Sequence, residues 1–300
     1  MTKFEGAWPA LATPFTSGGE VNLASLRGLV EYLIGKGIGG FYVCGSTGEG
    51  VYMTVAERKT VTEAVIDQAA GRVPVIVHVG SMVLPDALAL ARHAQDAGAA
   101  GIASIIPPQY NDVPSIVDYF TLLGQAAPQM PLLSYIFGGP ADASALMRQL
   151  MGIPTIAGSK YTGPNMYELR QIVELGRAYR GATPWTVFSG MDEECYFASL
   201  FGASGNIGST LNYIPGVYRE IHIARAAGDA ARGTELQLAA NDLTRILFAY
   251  GFMGAMKHVI GMVGFDYGQP RLPGRPFAKE RAAALEAELR AADFERLAAL

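Results

Sequence analysis

The chain has 300 residues, half of them hydrophobic and 17% charged, with a formal net charge of −4, which is ample apolar material for one large domain or two smaller ones. The absence of a Lys/Arg-rich block argues against nucleic acid as a partner, and no apolar run approaches the roughly 18 residues of a membrane span. The start at Met1-Thr2-Lys3 lacks the basic and apolar regions of a signal peptide, and Cys44 and Cys195 are too few for a disulfide or zinc framework, so the expected location is the cytoplasm.

Residues 8–15 read as a first strand, closed by Pro14 and the turn Ser17-Gly18-Gly19. Leu23, Leu26, Val30 and Leu33 have helical spacing across residues 21–33, which end in a run of glycines. A strand at 41–44, its loop Gly45-Ser46-Thr47-Gly48-Glu49 and a helix over 54–70 come next. Strands at 73–79 and 101–106 alternate with helices at 84–97 and 113–125. A strand over 130–136 ends near Tyr135, and a short helix over 144–151 leads to a strand at Ile156–Thr162 that carries Lys160. A helix over Met166–Leu175, a strand at 185–190, a helix over 192–201 and a last strand at 206–210 complete eight alternations before about residue 225.

Strands that are continuous apolar runs suit a parallel sheet buried on both faces. Eight such units in this length predict an α/β fold, a closed (β/α)8 TIM barrel over residues 1–225. An open doubly wound sheet is the alternative, but no dinucleotide fingerprint comes after the first strand. Residues 227–264 and 278–300 read as helices, so 226–300 is a C-terminal helical extension.

In such a barrel the chemistry lies at the carboxyl ends of the strands. Polar residues succeed the apolar runs there: Thr13, Ser46-Thr47, Tyr110, Tyr135, Lys160-Tyr161-Thr162, Asp192-Glu193 and Ser209-Thr210. Burial disfavours a charged amine, and a neutral amine adds to a ketone to give a Schiff base. Lys160 is therefore a candidate nucleophile, with a surface lysine paired to an acid as the alternative. Tyr135, one strand earlier, could shuttle the proton, or could be a core tyrosine with one satisfied hydroxyl. Thr162 could orient that phenol or simply close the strand. The Gly45–Glu49 loop could form a nest for a carboxylate, or an ordinary tight turn. Asp192 could accept from substrate hydroxyls, as could Glu193, or Asp192 could cap a helix. His78 reads as a hydrogen-bonded core histidine, and no histidine/carboxylate cluster suggests a metal.

Taken together, Thr13-Pro14-Phe15, Gly45-Ser46-Thr47-Gly48-Glu49, the Tyr135 strand, Gly158-Ser159-Lys160-Tyr161-Thr162, Gly190-Met191-Asp192-Glu193 and Gly208-Ser209-Thr210 resemble the dihydrodipicolinate synthase/N-acetylneuraminate lyase family. The likeness runs in order from about residue 7 to residue 277. It implies a class I aldolase or dehydratase with no metal or other cofactor, and a homotetramer. By that resemblance Lys160 forms an imine with pyruvate or another 2-oxo acid, whose carboxylate Ser46 and Thr47 hold. Tyr135 is the acid/base, and Tyr110 matches a tyrosine that some members donate across a subunit interface.

The residues after Tyr135 bear on the branch of the family. The synthase branch has an asparagine after the tyrosine and an arginine a few residues on. Here the chain runs Ile136-Phe137-Gly138-Gly139-Pro140-Ala141-Asp142, and the first arginine is Arg148. The strand end Lys160-Tyr161-Thr162 and the run from Gly190 to Glu193 are closer to the lyase branch. There Asp192, Glu193 and Ser209 would contact a polyhydroxyl tail, with Thr162 and Gly190 in the same substrate-binding set. The expected partners are thus a 2-oxo acid and an aldehyde. The lyase branch, too, has asparagine and proline where this chain has Ile136-Phe137, and Phe137 and Met191 would suit a less polar aldehyde. The alternatives are condensation of pyruvate with aspartate semialdehyde, a 2-keto-3-deoxy sugar acid aldolase or dehydratase, a non-catalytic 2-oxo-acid sensor, and a phosphate-binding barrel using Gly205-Asn206-Ile207-Gly208.

Overall fold

Eight apolar runs become eight parallel strands: β1 (Gly6–Pro9), β2 (Phe41–Val43), β3 (Val75–His78), β4 (Gly101–Ile105), β5 (Leu132–Phe137), β6 (Ile156–Thr162), β7 (Thr186–Ser189) and β8 (Gly205–Gly208). The computed structural model describes residues 4–137 and 142–300. Each strand pairs with its sequence neighbour from β2 to β8, and β8 pairs back onto β1. The remaining seam is joined where Ala10 bridges Tyr42 and the Leu11 N–H donates to the Tyr42 carbonyl at 2.9 Å. The chain is a (β/α)8 TIM barrel.

The helices between strands are α1 (Leu23–Gly35), α2 (Val55–Ala69), α3 (Leu84–Asp96), α4 (Val113–Ala126), α5 (Ala143–Leu150), α6 (Met166–Leu175), α7 (Cys195–Leu200) and α8 (Pro215–Ala227). Side-chain caps mark several starts. Thr54 and Glu57 form a reciprocal capping box on α2, and Asn22, Asp112, Asp142 and Asn165 cap α1, α4, α5 and α6. A cap of this kind contributes about 1 kcal/mol. After α8 come α9 (Ala230–Ala249), α10 (Phe252–Met262), α11 (Ala282–Ala291) and α12 (Phe294–Ala299). The helical run expected over 227–264 is broken at Gly251, which sits at φ +86°, in the left-handed region open to glycine.

The strands alternate between two cores. Trp8, Tyr42, Ile76, Ala103, Leu133, Ala157, Phe188 and Ile207, one from each strand, fill the inside of the barrel. The opposite faces pack against the helices. Full burial of a large side chain stabilises the fold by about 1.5–3 kcal/mol, so this inner layer is a solid floor and not a pore. Trp8 dominates it: a Cβ on Gly40 would lie 2.4 Å from the indole ring, so only glycine fits there.

Several element ends differ from the sequence expectation, and three have a visible cause. The first strand stops at Pro9, because Ala10 donates to Gly208 while Leu11 donates to Tyr42, and the chain thereby crosses from one neighbour to the other. The last strand ends at Gly208, and Thr210 opens a 3-10 turn over Thr210–Asn212. The helix expected over 192–201 divides into a 3-10 turn, Asp192–Glu194, and α7. No helix among the described residues is long and apolar enough to cross a membrane.

Candidate active site

A bulge in β6 aims Lys160. The register of β5 on β6 shifts between Leu132, which faces Ile156, and Leu133, which faces Gly158. Gly158 has φ +146°, and a Cβ there would sit 1.7 Å from the Thr186 carbonyl oxygen. The extra residue lets both Ala157 and Lys160 face the barrel interior, although three positions separate them. Lys160 therefore lies directly opposite Tyr135 on β5 and Phe188 on β7. It is 6% exposed, and its Nζ lies 4.2 Å from the ring centroid of Tyr135 and 5.0 Å from that of Tyr42. Tyr42 and His78 meet the Tyr135 ring edge-on at 6.4 and 6.3 Å. His78 is a structural residue, as its place in the strand suggested: its Nε2 accepts from the Ile105 N–H at 3.0 Å, and burial holds its imidazole neutral, well below the usual histidine range.

Lys160 opens into a cavity of about 320 Å³, lined also by Tyr135, Ser46, Thr47, Thr162 and Ser209. The Thr47 and Ser209 hydroxyls are 2.6 Å apart, joining the ends of β2 and β8. The Thr162 hydroxyl is buried and without a hydrogen-bond partner. Gly190 borders it so closely that a Cβ there would overlap the Thr162 hydroxyl and press on Lys160 Cε.

The Gly45–Glu49 loop is closed by its own backbone, Gly50 N–H to Gly45 and Glu49 N–H to Ser46. Its left-handed positions are Cys44 and Glu49, with φ +58° and +56°, and not its glycines. The glycines are needed for space: a Cβ on Gly48 would lie 2.7 Å from the Leu11 carbonyl oxygen. Glu49 is held from behind. Its Oε1 faces Lys257 Nζ of α10 at 2.6 Å in a fully buried ion pair off hydrogen-bond alignment, and its Oε2 accepts from the Arg271 backbone at 2.7 Å. Lys257 also donates to the Thr13 carbonyl at 2.9 Å, while Thr13 Oγ1 donates to Gly48 at 2.7 Å.

On the other side, Asp192 is 5% exposed and its side chain does not cap α7. Its Oδ2 accepts from Thr210 N–H at 2.9 Å and from Thr210 Oγ1 at 2.7 Å, and its Oδ1 from Asn206 Nδ2 at 3.4 Å. Burial pushes its pKa up to about 6, against the pull of the Thr210 hydrogen bonds. Gln237 of α9 donates to the Asp192 carbonyl at 2.9 Å and Asn241 to the Glu193 carbonyl at 3.1 Å, so the extension sets this turn.

The chain matches the model of the dihydrodipicolinate synthetase family over residues 3–292. It belongs to that family. The N-acetylneuraminate lyase of Rhizobium meliloti is 33% identical over 95% of this chain and 93% of its own length. The 4-hydroxy-tetrahydrodipicolinate synthase of Maridesulfovibrio salexigens is 32% identical over 96% of this chain and 98% of its own. The solved structure of Proteus mirabilis N-acetylneuraminate lyase superposes with a TM-score of 0.91 at 30% identity, covering 97% of this chain and 99% of that one.

In this family member the structure brings together Lys160, Tyr135, Ser46, Thr47, Thr162, Gly190, Asp192, Glu193 and Ser209 around one cavity. Tyr110 lies apart: it packs on Tyr119 at 4.8 Å and lines a neighbouring cavity, with Phe137 common to both. Ile136 and Phe137, where the sequence departs from both branches, end β5, and residues 138–141 after them lie outside the described residues. Arg148 is exposed on α5, and no arginine lines the Lys160 cavity among the described residues. The cavity also takes Thr244, Phe248 and Phe252 from α9 and α10, which strand-end reasoning could not reach because they come from the extension. Their only sequence signal is the pair of phenylalanines flanking Gly251. Among the described residues there is no cluster of three or more His, Cys, Asp or Glu side chains able to hold a metal.

Proposed function

We propose that this chain is a pyruvate-dependent Schiff-base aldolase of the N-acetylneuraminate lyase type, a carbon–carbon lyase that needs no metal. The observation that carries this reading is the buried Lys160 amine set against the Tyr135 ring in a cavity bearing the Thr47 and Ser209 hydroxyls. Ser46 and Thr47 would hold the 2-oxo acid's carboxylate. The Lys160 amine would add to C2 and lose water, leaving a protonated imine as an electron sink. Tyr135 would take the C4 hydroxyl proton as the C3–C4 bond breaks, releasing the aldehyde and leaving an enamine. Protonation at C3 and hydrolysis by one water would return pyruvate and the free amine. Aldol addition is the same path reversed. Thr162, whose hydroxyl is unpartnered, would orient Tyr135 or the substrate, and Asp192 and Glu193 would flank the aldehyde half.

Borohydride reduction in the presence of pyruvate, with peptide mass mapping of the product, tests the mechanism. A pyruvate adduct on Lys160 is expected. Pyruvate binding without such an adduct would overturn the reading.

The synthase reaction is the second reading, since a synthase relative is almost equally similar. The absence of an arginine from the cavity lining among the described residues weighs against it, because aspartate semialdehyde brings a second carboxylate. Parallel assays with N-acetylmannosamine and aspartate semialdehyde separate the two.

Residues 1–225 would carry the chemistry and 226–300 would complete and brace the pocket. The enzyme would be a cytoplasmic homotetramer, with Tyr110 contributed to a second copy. Around the Tyr110 cavity Val51, Met82 and Phe137 are all more than half exposed, an apolar surface of the kind subunits cover. Sedimentation analysis tests the assembly: a tetramer is expected, and a monomer at assay concentration would remove this role for Tyr110.

A further inference from the structure

We infer, resting on the Schiff-base aldolase reading, that Tyr42 is a further positioning residue of that reaction: the face of its ring supports the positive charge that the Lys160 nitrogen carries as a protonated imine. Lys160 is buried, and among the described residues no hydrogen bond or ion pair closes on its Nζ. Asp192 and Glu193, the carboxylates lining the same cavity, are not paired with it. What faces the nitrogen is a corner of two phenol rings. The centroid of Tyr135 lies 4.2 Å away and that of Tyr42 5.0 Å away, and the two ring planes stand at 89° to each other. Both distances fall within the roughly 6 Å over which the negative face of an aromatic ring attracts a cation.

Tyr42 is 1% exposed, belongs to the inner layer of the barrel and does not line the cavity, so it acts through Lys160 and not on substrate. Its hydroxyl is buried without a partner and holds nothing in place, which leaves the ring as what this position contributes. The ring is well seated. Tyr42 pairs with Ile76 on β3 and bridges to Ala10 across the barrel seam. The neutral imidazole of His78 backs it at 6.1 Å and adds no competing charge. Gly45 gives it room, since a Cβ there would lie 2.6 Å from the ring, and the same glycine opens the loop that carries Ser46 and Thr47.

In the step this serves, the neutral Lys160 amine and the C2 ketone form a C=N double bond. The ketone oxygen leaves as water with one amine hydrogen and one proton taken up from solvent. The nitrogen ends positively charged with a single N–H, so hydrogen bonds can balance less of its charge than of an ammonium's. In a water-excluded site such charge is stabilised by groups already in place, and here those are the two ring faces.

The experiment measures the pyruvate concentration that half-saturates borohydride trapping at Lys160, read by peptide mass. It compares the wild type with Tyr42→Phe and with mono-, di- and trifluorinated phenylalanine at the same position. Fluorine drains electron density from the ring face with little change of shape, so a purely structural ring would be indifferent to it. Urea denaturation of each variant checks that the fold is kept. Tyr42→Phe is expected to trap pyruvate as the wild type does, within about two-fold. Each added fluorine should then raise the half-saturating concentration by a similar factor, reaching roughly 10- to 30-fold with three, the worth of one desolvated cation–ring contact. Trapping at Lys160 that is unchanged along the fluorine series, or a loss already complete in Tyr42→Phe, overturns the role of the ring face alone. Failure to trap Lys160 in the wild type overturns the underlying reading and this inference with it.

Discussion

Tyr135 and Lys160 are register partners on adjacent parallel strands, and the lysine nitrogen lies 4.2 Å from the centre of the phenol ring. Two backbones hydrogen-bonded in a barrel wall fix this distance more firmly than any loop could. Lys160→Ala should abolish the borohydride-trapped adduct. Tyr135→Phe keeps the ring but loses the hydroxyl. It should still form the imine, while kcat falls by about 10²–10⁴, the usual share of a general acid/base. Single-turnover trapping and steady-state assays on both variants separate the two roles.

The unpartnered Thr162 hydroxyl gives a prediction with two opposite signs. Leaving a buried hydroxyl unbonded costs about 1–3 kcal/mol, so Thr162→Val, of nearly the same shape, should stabilise the free enzyme by about 1 kcal/mol in denaturant titration. The same variant should turn over substrate less well. A hydroxyl with a purely structural role would show the reverse pattern.

The buried Glu49–Lys257 pair ties the extension to the loop carrying Ser46 and Thr47. Removing one partner of such a pair strands a charge, at a cost of about 3–5 kcal/mol. Lys257→Met should therefore be strongly destabilised and should raise KM for pyruvate, since the loop loses its backing. Adding Glu49→Gln should restore part of the stability. A double mutant no better than the single one would show that the pair contributes no coupling.

Asp192, with its pKa raised to about 6 by burial, sets a pH dependence. The folded chain holds this proton more tightly than the unfolded chain, whose aspartate titrates near 3.8. Between about pH 4 and 6 the native state binds more protons, so stability attributable to this group is present below pH 4 and is lost as pH rises through 6. A shift of this size corresponds to roughly 3 kcal/mol across that window. Asp192→Asn should flatten this part of the stability–pH curve, whatever its effect on absolute stability. Urea denaturation at several pH values reads the slope.

The barrel was legible in the chain because strand and helix periods are local. Runs such as Val75–His78 and spacings such as Leu26, Val30 and Leu33 declare their elements within a few residues, and β6 has the bounds expected of it. The polar residues at the strand ends were legible for the same reason, once the fold placed all strand ends at one rim. The capping role open to Asp192 was not taken: a 3-10 turn replaces the first turn of the expected helix and leaves its carboxylate to Thr210.

The sequence by itself determined the alternating elements, the family and the ring of candidate groups, since each is written in short-range pattern and order. Only the tertiary structure decided which of those groups share a cavity. The Gly158 bulge turns Lys160 inward, Phe248 and Phe252 arrive from the extension, Lys257 reaches Glu49, and Tyr110 falls into the neighbouring cavity. These are contacts between residues remote along the chain, formed when packing closes long loops, and no local periodicity encodes them.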